Sequence, residues 1–91
     1  MGTAILKIKV MPSSLKTDLE KLKENIKKNL EEAGAVRVSS IEEEPVAFGL
    51  KSLIVTFAWP EQLETEKAEK AIKNIDEVSS EEIIDYRRAF G

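Results

Sequence analysis

In the pattern of apolar and polar positions along the chain, the strongest strand signal lies in the stretch from Pro45 to Pro60. There Leu53, Val55, Phe57 and Trp59 take one face of an extended segment, while Ile54, Thr56 and Ala58 take the other. β-branched and aromatic side chains favour such pleated positions. Apolar residues on both faces predict a central strand of a sheet. Pro60 has no N–H to donate and ends it. Phe48-Gly49 stands just before it, a large aromatic followed by a residue free to turn.

The other elements arrange themselves around this strand. Ala4 to Val10 alternates, with Leu6, Ile8 and Val10 inward and Lys7 and Lys9 toward water, and Met11-Pro12-Ser13-Ser14 breaks it. Thr17 to Ala33 predicts a helix. Leu19, Leu22, Ile26, Leu30 and Ala33 recur at spacings of three and four, Thr17 with Glu20 has the capping-box spacing, and Gly34 suits the left-handed position past the end. Ala35 to Ile41 predicts a second strand with Val36 and Val38 in register. Ile41 falls out of phase with them, so a bulge or bend is expected near Ser39-Ser40. Glu42-Glu43-Glu44 reads as a solvated acidic loop, because a divalent-cation site needs a spaced set of further oxygen ligands. Glu61 to Ile75 predicts a second helix buried along Ala68, Ala71, Ile72 and Ile75, and Val78 to Phe90 a last, strand-like segment around Ile83-Ile84. Strand, helix, strand, strand, helix, strand is the order of an α+β, ferredoxin-like sandwich, a four-stranded antiparallel sheet with two helices on one face. Residues 1–91 read as a single domain.

Composition narrows the chemistry. There is no cysteine and no histidine, which removes thiol nucleophiles, thiolate metal sites and the commonest general base. Charged residues are 34% and hydrophobic ones 42%, as expected of a globular domain with a heavily solvated surface. The net charge of −3 argues against nucleic acid as the main partner. No apolar run approaches a membrane span and no signal peptide is visible, so the expected location is the cytosol. No glycine loop for phosphates is present, and no paired carboxylates sit in an apolar frame that would shift a pKa. The chain reads as a binding domain rather than an enzyme. An RNA recognition motif has the same element order and Phe48-Gly49 echoes its third strand, but the first strand carries no aromatic to stack a base. A small-ligand module is the other alternative, and no residue set singles it out.

One block is more specific. Pro45-Val46-Ala47-Phe48-Gly49-Leu50-Lys51, following the three glutamates, resembles the start of the third strand in the elongation factor 1-beta family, most closely its short archaeal form. Val10-Met11-Pro12 is similar to that family's first-strand exit, and Tyr86-Arg87-Arg88 to its ending. Arg88 stands where the family has lysine, and Ala89-Phe90-Gly91 run on past the family's usual end. The resemblance implies a guanine-nucleotide exchange factor for the elongation factor 1-alpha GTPase. It implies no cofactor, no direct nucleic-acid or membrane partner, and a monomer when free. The implied mechanism is docking followed by insertion of a C-terminal cation near the GTPase's Mg²⁺ and phosphates. The implied contact surface holds Phe48, Gly49, Lys51, Arg87 and Arg88. Arg88 is the first choice for the inserted cation and Arg87 the alternative. Apart from the resemblance, Phe48 also suits a cap on the core, Gly49 a backbone turn, Lys51 a solvated strand position, and the arginines ordinary tail charges.

Overall fold

The computed structural model describes residues 2–89. Its elements are β1 (Thr3–Pro12), α1 (Leu19–Ala33), β2 (Arg37–Pro45), β3 (Lys51–Pro60), α2 (Thr65–Lys73) and β4 (Val78–Ala89). The strands form one antiparallel sheet in the order β2-β3-β1-β4, the ferredoxin-like arrangement expected from the element order. Phe90, at the end of the expected last strand, lies outside the described residues.

Alternation builds the core. Ala4, Leu6, Ile8 and Val10 of β1 stand opposite Trp59, Phe57, Val55 and Leu53 of β3, and all eight are fully buried. Leu22, Ile26 and Leu30 of α1 and Ala68 and Ile72 of α2 close over them, so both helices cover one face. Phe57 and Trp59 meet edge to face at 5.9 Å, and the Trp59 indole N–H donates to the Leu63 carbonyl at 3.1 Å. The helices are tied together by Asn29, whose side-chain amide donates to the Ala71 carbonyl at 3.0 Å.

Several local expectations change. The cap of α1 is Asp18, not Thr17: its carboxylate accepts from the Glu20 and Lys21 amides at 3.1 and 3.2 Å. A carboxylate one residue nearer the helix also meets the positive end of its dipole, which a hydroxyl at Thr17 does less well. At the other end Gly34 adopts φ 127 and returns its N–H to the Leu30 and Glu31 carbonyls, as its position predicts. β2 begins at Arg37, leaving Val36 exposed, and runs through the three glutamates, which are strand residues paired with Ile54, Leu53 and Ser52. A neighbouring strand with open donors and acceptors extends pairing through residues whose own propensity is poor. α2 is shorter than its stripe suggested, Thr65–Lys73, with Ile75 buried just beyond it.

The bulge is where phase required it. The β2–β3 register shifts between Val38 and Ser40, which lets both Val38 and Ile41 pack on the core. β4 carries a matching shift against β1 between Lys7 and Ile8, skipping Ile84.

Candidate partner-binding site

The connection between β2 and β3 is tight and strained. Leu50 N–H donates to the Ala47 carbonyl and Val46 N–H to the Leu50 carbonyl, both at 2.9 Å. Between them Phe48 sits at φ 55 and Gly49 at φ 80. Two positive-φ residues in succession match the right-handed twist of the strands they join. Glycine adopts that geometry freely, whereas a bulky aromatic there is an outlier. A Cβ on Gly49 would lie 3.7 Å from Leu15, so backbone conformation rather than space selects glycine.

Phe48 does not cap the core: 94% of it is exposed. Leu15, from the β1–α1 loop, and Val46 are exposed beside the same hairpin. A shallow groove of about 200 Å³ runs between Pro12, Leu15, Leu19 and the Gly49–Lys51 backbone. Lys51 bounds it with charge. Its ammonium reaches Glu43 at 3.4 Å, Glu43 meets Lys23 at 2.9 Å, and Lys23 meets Glu20 at 3.0 Å. Hydrogen bonds from Lys23, then Lys51, hold the Glu43 carboxyl below its ordinary pKa, and the bond to Glu43 raises Lys23. Leu15 was not legible as a surface residue of interest, since it falls in a polar loop outside any apolar stripe.

Arg87 and Arg88 lie at the far end of the sheet. They pair with Ile5 and Ala4 at the start of β1, whereas Lys51 lies beyond the Leu53–Val10 pair at the other end. The separation is roughly 26 Å, some eight residues of strand. Successive residues on β4 face opposite sides. Arg87 points to the open face and binds Asp85 at 3.0 Å, while Arg88 takes the helix side and meets Glu61 at 3.5 Å. Both are about 80% exposed. The fold therefore brings Phe48, Gly49 and Lys51 together and sets the two arginines apart from them.

Comparison with known proteins decides the family. The model of the EF-1 guanine nucleotide exchange domain matches residues 5–88. The chain belongs to this family. Similar full-length relatives are the Elongation factor 1-beta proteins of Methanosarcina barkeri, 46% identical over 97% of this chain and 99% of that protein, and of Methanocaldococcus jannaschii, 41% identical over 98% and 100%. The Methanothermobacter thermautotrophicus protein of that name is 39% identical over 97% of this chain and 98% of its own length. In this member of the exchange-domain family, no group of three or more metal-ligating side chains is assembled among the described residues, and no helix of theirs is long and apolar enough to cross a membrane.

One expectation about carboxylates is overturned. Glu81 lies opposite Val10, on the core side of β4, with its Oε2 atom buried and Glu69 of α2 beside it. Burial, then sharing a proton with Glu69 of α2, pushes its pKa up to about 7. A pair of carboxylates with a raised pKa therefore exists, and packing rather than sequence spacing brings it together. It faces the α2–β4 seam, away from the hairpin.

Proposed function

We propose that this protein promotes guanine-nucleotide exchange on the elongation factor 1-alpha GTPase. The match of the exchange-domain family along residues 5–88 carries the reading. A second feature supports it: Phe48 is fully displayed on a backbone that strains to display it. Strain and exposure without a folding benefit are expected of a contact residue.

On this reading the contact is two-ended. Phe48 and the Gly49–Lys51 edge dock against one part of the GTPase, and the sheet's length carries the arginine end to another. Arg88 is the cation that approaches the Mg²⁺ and phosphate site. Among the described residues its ion-pair partner is Glu61 at 3.5 Å, and with the side chain 80% exposed this contact is weak and easily exchanged for a stronger anion. A guanidinium pairs with phosphate or carboxylate through its fork, so it acts by drawing these ligands away more than by standing in for a compact Mg²⁺. Weakened GDP binding then implies, by linkage, equally weakened binding of this protein to the nucleotide-bound GTPase, so GTP displaces it and completes the cycle.

Release of labelled GDP from elongation factor 1-alpha, with and without this protein, tests the function. Arg88→Ala should slow the stimulated release at least tenfold with an unchanged melting temperature, since an exposed end residue carries little stability. Arg87→Ala should do less. Equal rates for wild type and the Arg87→Ala/Arg88→Ala double variant would reject insertion. No stimulation by wild type would reject the function itself.

A further inference from the structure

The chain has three arginines, Arg37, Arg87 and Arg88, and all three lie at one end of the sheet. Arg37 pairs with Ala58, Ala58 with Ile5, and Ile5 with Arg87. Residues directly opposite in antiparallel strands share a face. These four therefore form one row across the side of the sheet that the helices leave open. Three inter-strand spacings put the two arginine positions about 14 Å apart. Between them Ile5 and Ala58 make a flat, half-buried apolar floor.

The two bulges create this row. Arg37 and Ile41 are four residues apart, as are Ile83 and Arg87, so in unbroken strands each arginine would share its isoleucine's face. In the structure Ile41 and Ile83 pack on the core, while Arg37 and Arg87 emerge on the open side. Both edge strands reset their phase at the same level of the sheet, on either side of the Thr56–Lys7 pair. Bulges re-aim side chains in this way. Among the described residues Arg37 is exposed and has no carboxylate within ion-pair distance.

We propose that the row Arg37–Ala58–Ile5–Arg87 is a docking surface for an acidic ridge on the GTPase, with Arg37 and Arg87 each pairing with a carboxylate. The proposal rests on the exchange reading and adds Arg37 to it as a binding residue. Paired arginine forks flanking an apolar floor suit carboxylates spaced about 14 Å apart with a small apolar surface between them. RNA fits less well. The open-face positions of β1 and β3 hold Ile5, Lys7, Lys9, Ile54, Thr56 and Ala58, with no ring to stack a base.

Charge reversal tests it. Arg37→Glu, Arg87→Glu and the double variant are compared with Lys28→Glu, which makes the same charge change on the exposed side of α1. The readouts are the protein concentration giving half-maximal stimulation of GDP release and the affinity for the nucleotide-free GTPase. Arg37→Glu should raise the half-maximal concentration about tenfold and flatten its salt dependence, leaving the maximal rate within about twofold, as expected of a docking charge. Lys28→Glu should match wild type in every readout. Wild-type exchange with an Arg37→Glu variant identical to Lys28→Glu overturns the proposal while leaving the exchange function intact. Binding of a single-stranded RNA that Arg37→Glu abolishes, with no change in GTPase affinity, overturns it in favour of a nucleic-acid surface. Failure of wild type to bind the GTPase at all overturns both.

Discussion

Holding Phe48 at φ 55 costs roughly 1–2 kcal/mol, and no burial offsets it because the ring lies in solvent. Asparagine tolerates that conformation, and Asn-Gly is the pair that tight hairpins favour. Phe48→Asn should therefore raise stability by about 0.5 kcal/mol or more while sharply reducing stimulated GDP release. Thermal melts and the release assay check the two halves separately. A loss of both stability and exchange would mean that the ring supports the fold. The block from Pro45 to Lys51 was legible in the sequence as unusual, and the turn at Gly49 with it. Phe48's exposure was not legible. A phenylalanine beside an apolar strand looks the same whether it turns inward or outward, and only the paired positive φ values turn it out.

Among the elements, the strands and helices followed from periodicity, and phase alone located the β2 bulge through Ile41. Their ends did not follow, because ends depend on partners. Asp18 rather than Thr17 caps α1, so Asp18→Ala should cost about 0.5–2 kcal/mol in chemical denaturation, with no comparable loss for Thr17→Ala. The α2–β4 seam carries a pH dependence that no single strand or helix pattern reveals. Glu81 titrates near 7 when folded and near 4.5 when unfolded, with Glu69, Lys73 and Glu82 as its charged neighbours. Between those values the folded chain binds more protons, so this group's contribution is full below about pH 4.5 and is lost as pH rises through 7. Glu81→Gln should flatten that decline, and melting temperatures between pH 5 and 8 should show the two curves diverging toward the alkaline side. Parallel curves would assign the dependence elsewhere.

At the scale of the whole molecule, the described residues extend 42 Å by 21 Å by 18 Å, and the residues singled out by the family resemblance divide between the ends of the long sheet. Sequence order could not disclose that division, because antiparallel pairing decides which residues lie level. Glu42-Glu43-Glu44 gains a different meaning from the same topology. These residues form part of an edge strand whose outer backbone groups have no partner in the sheet. Such an edge invites another chain to add a strand, and a run of like charges deters it, since a second copy would bring its own glutamates alongside. Glu42→Thr/Glu43→Val/Glu44→Thr should therefore convert the protein into concentration-dependent oligomers, seen by light scattering, while its far-UV spectrum stays that of the folded chain. On this account three carboxylates set along an edge strand rather than in a loop act by what they keep from assembling.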